Sequence, residues 1–182
     1  MHTNLMLLGR LCLYLFIFLP LFTFAHPHTF IDVHPSIEIK DKNAIKIHFK
    51  WVIDEMTSSM LIMETDFDGN GKYDKKENEN LRKNYFSSLV EFGFYTQINF
   101  NNKYQDKIIP KNFQGSVENH KLCYSFDVEL SYAIKGLAID FADKDFLVAM
   151  ILKKEFVKIS GAKPKISNLD NEYYFGYRLE FE

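Results

Sequence analysis

Asp66-Phe67-Asp68-Gly69-Asn70-Gly71-Lys72-Tyr73-Asp74-Lys75-Lys76-Glu77 is the stretch that decides how the rest of the chain is read. It matches the EF-hand calcium loop D-x-[DN]-x-[DN]-G-x5-E at every fixed position. Calcium is a hard cation that takes six to eight oxygens at roughly 2.3–2.6 Å. Asp66, Asp68 and Asn70 would give side-chain oxygens, Lys72 a backbone carbonyl, and Asp74 a contact through water. Glu77 would close the site with both carboxylate oxygens. Gly71 falls at the sharp turn, where a left-handed backbone disfavours a Cβ. The alternative is an Asp/Asn/Gly-rich surface turn between two helices.

The flanks are helical in pattern. Asp54 to Thr65 reads as the helix entering the loop, with Met56, Met60, Leu61 and Met63 as its apolar packing residues. The exit helix runs from Lys75 or Lys76 to about Phe92, with Leu81, Tyr85, Phe86, Leu89 and Val90 spaced as a buried stripe. The chain has a single loop of this type, so the pair of helices must pack on the β portion or on a second chain. A structural clamp on two helices is the expected role, since exported calcium modules bind at about 10⁻⁴–10⁻³ M.

Ahead of the helices lies a hairpin. Pro27, Ile31, Val33, Ile37 and Ile39 share one parity, and His26, His28, Phe30, Asp32, His34 and Glu38 the other. Ile45, Ile47, Phe49, Trp51 and Ile53 alternate with Lys46, His48 and Lys50 in the second strand. With Asp41-Lys42-Asn43 as a three-residue loop, Ile39 faces Ile45, Ile37 faces Ile47, Val33 faces Trp51 and Glu38 faces Lys46. That register sets His34 diagonal to His48, within about 7–8 Å. Four histidines and Asp32 then share one hairpin face. Histidine nitrogens with one or two carboxylates suit zinc, nickel or copper. For His34 and His48 alone, a solvated strand face is the competing reading. His120, in Glu118-Asn119-His120-Lys121, reads as an exposed turn.

Beyond the helices the pattern is strand-like. Thr96, Ile98 and Phe100 alternate before Asn101-Asn102. Leu122 to Leu130, Leu137 to Phe141, Phe146 to Leu152 and Tyr173 to Phe181 follow. The fold class expected is α+β: a mainly antiparallel β-sheet or sandwich with an inserted helix-loop-helix at about 54–92. The Asp140, Asp143 and Asp145 group reads as a solvated turn.

Residues 1–25 read as a secretory signal peptide. Arg10 precedes an apolar run from Leu11 to Phe22, and Thr23-Phe24-Ala25 ends in a small residue. The run is short for a membrane anchor, which needs about 20 apolar residues. Cleavage after Ala25 leaves a single domain, 26–182, exported to the periplasm, with Cys123 as its one cysteine. No internal disulfide can then form, and Cys123 reads as a small core residue. Loss of Arg10 takes the formal charge from −2 to −3. No basic patch suggests nucleic acid. The new terminus, His26-Pro27-His28, offers an amine and imidazoles to one ion. Pro27 lacks an amide N–H, which rules out a site built on deprotonated amides.

His26-Pro27-His28, Phe30-Ile31-Asp32, Trp51-Val52-Ile53-Asp54-Glu55, the loop Asp66–Glu77 and Glu91-Phe92-Gly93-Phe94-Tyr95-Thr96 together resemble a bacterial family of unknown function. It is described as the periplasmic component of a transport system, and its members are typically encoded beside NicO-type nickel/cobalt permeases, some linked to zinc. The resemblance spans nearly the whole mature chain. It implies binding or delivery of a divalent transition metal, with His26, His28 and Asp32 as the positions carried over. An Asp-Pro-x-Tyr-Tyr-like segment common in the family is replaced here by Asp143-Lys144-Asp145-Phe146.

The leading expectation is a non-enzymatic accessory protein that presents zinc, nickel or cobalt to a membrane permease. His26 and His28 would be ligands, and Asp32, His34 or His48 would complete or orient the site. A copper carrier, or a copper-dependent oxidative enzyme using the histidine terminus, is the second. A structural calcium module alone is the third. The sequence has no Ser/His/Asp order and no activated cysteine.

Overall fold

The structure is a computed structural model, and it describes residues 28–171 and 174–181. The apolar run Leu11–Phe22 and His26 lie outside the described residues. Strands β1 (Thr29–Lys40) and β2 (Asn43–Ile53) form the antiparallel hairpin that the alternation predicts. Val33 faces Trp51, Ile37 faces Ile47, and Glu38 faces Lys46, with a 2.9 Å ion pair between the last two. The turn corrects the sequence reading. Asp41 and Lys42 are both left-handed, at φ 51° and 64°, and form a two-residue connection. This turn matches the twist of its strands better than a right-handed one. Asn43 joins β2 opposite Lys40, and a bulge after Glu38 sets Ile39 against the buried Ala44. Ile45 becomes the extra residue, half-buried rather than paired with Ile39.

Strands β3 (Thr96–Phe100), β4 (Lys103–Tyr104), β5 (Lys111–Glu118), β6 (Lys121–Ala133) and β7 (Leu137–Ala142) follow the helices. Then come β8 (Val148–Ile151), β9 (Lys158–Ile159), β10 (Pro164–Asn171) and β11 (Tyr174–Phe181). One sheet runs β5-β6-β2-β1-β8, with β9 also on β1; the other runs β10-β11-β7-β3-β4. The pairing is antiparallel except that β8 and β9 run parallel to β1. The architecture is α+β, with two mainly antiparallel sheets. The aromatic core joins them. Phe49 packs at a tilt, 5.1 Å from Phe126 within the first sheet, and meets Phe141 of the second edge-on at 6.1 Å. Trp51 packs between Phe126 and Phe86, which ties the sheet to the helical insertion.

The insertion departs from the periodicity in two places. Helix α1 (Glu55–Thr65) does not bury its methionines: Met56, Met60 and Met63 are 66%, 55% and 80% exposed. The residues it buries fully are polar, Ser58 and Thr65, while Leu61 and Ile62 are half-buried against the core. Ser58 Oγ donates to the Ile53 carbonyl (3.0 Å) and accepts the Leu122 amide (2.9 Å). A free β6 amide needs a partner, and a hydroxyl supplies it where a thioether would not. The exit segment is not one helix to Phe92. Helix α2 (Lys75–Leu81) passes into a π turn, Arg82–Phe86, and a 3-10 turn, Ser87–Val90. Leu81 and Phe86 are both buried. Five residues apart, they would lie about 140° around an α-helix. The wider turn returns Phe86 toward the face of Leu81. Val90, expected in the stripe, is 48% exposed.

Ser58→Ala leaves the Leu122 amide buried without a partner. The expected cost is about 1–3 kcal/mol, seen as a fall in the thermal midpoint of roughly 2–4 °C per kcal/mol. An unchanged midpoint would mean the tie between α1 and β6 is dispensable.

Candidate metal centre

The centre is built from the cap of α1 onward. Asp54 follows the last residue of β2 and caps α1, its Oδ1 accepting the Thr57 amide at 3.0 Å. Its Oδ2 accepts the Thr57 hydroxyl and the Phe30 amide, both at 2.9 Å. The start of the helix is thus locked to β1. Burial pushes the Asp54 carboxyl up, but the hydrogen bonds from Thr57 and Phe30 outweigh it and hold the group below its ordinary value. At the other end of α1, Thr65 Oγ1 donates to the Leu61 carbonyl and meets the Tyr73 hydroxyl, each at 2.5 Å.

The loop then folds on its own carboxylates. Asp66 accepts the amides of Asn70 (3.2 Å) and Gly71 (2.8 Å). Asp68 Oδ1 accepts the Asn70 amide at 3.1 Å, and Asn70 Oδ1 accepts the Lys72 amide at 2.7 Å. Gly69 and Gly71 are left-handed, at φ 68° and 73°. Glu77, only 2% exposed, reaches back across the loop to accept the Phe67 and Asp74 amides at 2.7 and 2.9 Å. Asp74 Oδ1 accepts the Glu77 amide at 2.8 Å, so positions 9 and 12 of the loop also form the capping box of α2. Asp66, Asp68 and Glu77 each place a carboxylate oxygen within 4.8 Å of the others. The ion pairs among the described residues involve none of the three. Three like charges drawn together with amide donors alone form a site that a hard divalent cation fits.

Helix α2 is held to the sheet by Asn78. Its Oδ1 accepts the Gly115 amide at 2.7 Å, and its Nδ2 donates to the Phe113 carbonyl at 3.4 Å. A Cβ at Gly115 would stand 2.3 Å from Leu81 Cδ2, so the buried Leu81 side chain would have to shift to admit one. Tyr85 donates to Glu64 at 2.8 Å and joins the π turn to α1.

The hairpin histidines have separate surroundings. His28 is exposed, and its amide donates to the Leu147 carbonyl at 2.9 Å. Asp32 is half-buried opposite Val52. His34 lies opposite Lys50 and His48 opposite Ser36, the diagonal relation that the register predicts. His34 stacks on Phe156 at 3.9 Å, and burial lowers its pKa, with Asp32 opposing. His48 Nδ1 pairs with Asp127 Oδ1 at 2.8 Å. Hydrogen bonds from Asn112 and then His48 hold the Asp127 carboxyl below its ordinary value. His120 is in the exposed two-residue turn with Asn119. Cys123 is buried, and burial raises its thiol pKa.

A family described as "Protein of unknown function (DUF1007)" matches residues 11–175. The chain belongs to that family. This DUF1007 chain is 30% identical over 97 residues to an "Uncharacterized 15.5 kDa protein in trpE 3'region" of Spirochaeta aurantia, over 52% of this chain and 69% of that protein. It is 29% identical over 132 residues to an "Uncharacterized protein" of Haemophilus influenzae, over 69% of this chain and 62% of the relative.

A second feature of this DUF1007 chain was not legible in advance. Gly93, Phe94 and Tyr95 are consecutively left-handed, at φ 60°, 53° and 49°. Such a conformation costs roughly 1–2 kcal/mol per non-glycine residue. The run borders a cleft of about 280 Å³ lined by Glu91, Gln97, Gln105, Asp106 and Asp145. Asp143, expected in a solvated turn, is buried instead, and its carboxylate accepts the amides of Asp145, Leu147 and Val148 at 2.9–3.0 Å. Tyr95 is pushed up to about 12 by burial, with Asp143 and Asp145 adding to it.

The depressed Asp54 carboxyl has a testable sign. Its stabilisation is present above the unfolded carboxylate value near about 4 and is lost as the pH falls through the lower folded value. Asp54→Asn keeps the cap on Thr57 but puts an NH2 where Oδ2 accepts the Phe30 amide, and is expected to lose about 1 kcal/mol at neutral pH, measured by urea denaturation. The gap to wild type should narrow in acid; a gap independent of pH would sink the assignment.

Proposed function

We propose that this protein is an exported metal-binding accessory protein with a calcium-loaded EF-hand-type loop and a separate transition-metal site at its N-terminal hairpin. The observation that carries the reading is the convergence of Asp66, Asp68 and Glu77 within 4.8 Å, beside a left-handed Gly71. Asp66, Asp68, Asn70 and Glu77 would hold the ion by side-chain oxygens, Lys72 by its carbonyl and Asp74 through water. Bound calcium supplies positive charge to a carboxylate cluster that has amide donors alone. The chain's own residues do the rest. Asp54, Ser58 and Asn78 fix the two flanking helices, so the ion acts as a clamp and not as a reactive centre.

The transition-metal part rests on the donor types of His26, His28 and Asp32 and on the family resemblance. Zinc, nickel or cobalt would be held at the open terminus and presented to a NicO-type membrane permease from the periplasm. An accessible site that releases its ion suits delivery better than a closed cage. A calcium module without the second site is the alternative, and the partners of His34 and His48 favour it for those two residues. His34 is engaged by Phe156, and His48 by Asp127.

Calcium addition tests the loop. With a dissociation constant of about 10⁻⁴ M, roughly 10 mM calcium should stabilise the fold by about 2.7 kcal/mol. A scanning calorimeter would read this as a rise of several degrees in the midpoint. Glu77→Gln should abolish the rise. Equal midpoints with calcium and with chelator in the wild type would refute the calcium assignment. Retention of one zinc or nickel by wild type but not by His26→Ala, in a native mass spectrum, tests the terminus independently.

A further inference from the structure

Helix α1 presents sulfur to solvent. Met56, Met60 and Met63 are spaced four and three residues apart, which sets them on one helix face. All three are more than half exposed, whereas Met150 is 2% exposed in the core. The helix does not lack other apolar residues. Leu61 and Ile62 are half-buried and pack against the core. Leucine or isoleucine would serve a purely apolar contact as well; what methionine adds on that outer face is a thioether sulfur.

We propose that Met56, Met60 and Met63 form a thioether site for a soft monovalent cation, Cu(I) or its analogue Ag(I). Neutral thioethers select soft ions and are poor ligands for calcium, nickel or zinc. The helix rises about 1.5 Å per residue, so Met60 stands between the other two along the axis. Each methionine has three rotatable side-chain bonds, which let the outer two sulfurs fold toward the central one. Exposure is what exchange with a donor or acceptor of the ion requires. The ties at Asp54 and Ser58 hold the helix rigid beneath the three sulfurs. The site is independent of the calcium loop and of the histidine terminus, and it changes no oxidation state: the ion enters and leaves as the monovalent cation.

The test uses the purified protein and Ag(I) alone, titrated calorimetrically. The wild type should take up one equivalent. The triple variant Met56→Leu, Met60→Leu, Met63→Leu keeps the apolar face and the helix former, and should lose that uptake. Glu77→Gln and His28→Ala should keep it, which separates this site from the other two. In a methyl NMR spectrum labelled at methionine, Ag(I) should shift the three ε-methyl signals of α1 and leave Met150 unmoved, a result that needs no variant. Absence of Ag(I) uptake by the wild type, uptake undiminished in the leucine triple, or unshifted α1 methyls would each overturn the proposal. Undiminished uptake in the leucine triple would place the ion on other donors, and unshifted α1 methyls would leave this face without a role in holding it.

Discussion

The Ser58 hydroxyl sits between two backbone groups that secondary structure leaves open, the Ile53 carbonyl and the Leu122 amide. Together with the Asp54 cap, it decides where α1 stands on the sheet. Everything in the candidate metal centre follows from that placement. The end of α1 delivers Asp66 to the loop, and Thr65 meets Tyr73 on the loop's far side. Asn78 then closes the circuit by pinning α2 to β5 beside Gly115. The loop is therefore strung between two helices that are each anchored to neighbouring strands. Asp66 and Glu77 cannot spread apart without breaking the half-buried hydrogen bonds that each accepts from the loop amides. Such contacts are costly to break, because the partner left behind keeps its full desolvation penalty.

The hairpin face has a different logic. Its outward side chains pair across the strands: Glu38 with Lys46, Lys50 with Glu118, His48 with Asp127. Pairs of this exposed kind contribute little each. They do fix side-chain positions: His48 is exposed like His28, but its ring is paired with Asp127. A metal-binding role for this face thus depends on residues at its open end more than on its middle.

The strands were legible in the sequence because alternation is a strong signal when one face is buried. Ile37 against Ile47 and Val33 against Trp51 follow from it directly. The tight turn was not legible, since Asp41 accepts a left-handed backbone readily but Lys42 does not, and the neighbouring Asn43 is the more usual choice. Strands β5 and β10 escaped because they carry few alternating apolar residues, LysAsnPheGlnGly-like in one and ProLysIleSerAsn-like in the other. The methionines misled because apolar residues at helical spacing normally mark a buried face, whereas α1 buries hydroxyls. The acidic loop residues Asp66, Asp68 and Glu77 were readable as a group, because their spacing is local. What anchors them was not, because Ser58 and Asn78 act on strands far along the chain. An Asp two residues before Met56, followed by Thr57, was the one local hint of the cap.

The parallel pairing of β1 with β8 sets the order in which the molecule can be completed. Thr29 lies beside Val148, and the His28 amide is closed by the Leu147 carbonyl. The first strand to leave any machinery that releases the chain from its N-terminus therefore keeps one edge unpaired until nearly the whole chain has followed. Closing so long a loop is slow relative to local contacts. The β1–β2 hairpin can form early, but its exposed edge is open to other strands in the interval. Bringing the loop between its helices into shape does not relieve this, because the missing edge is supplied from the far end of the chain. The completeness of the histidine face is thus a late event in folding, and a protein halted before β8 would present that terminus without its final neighbour.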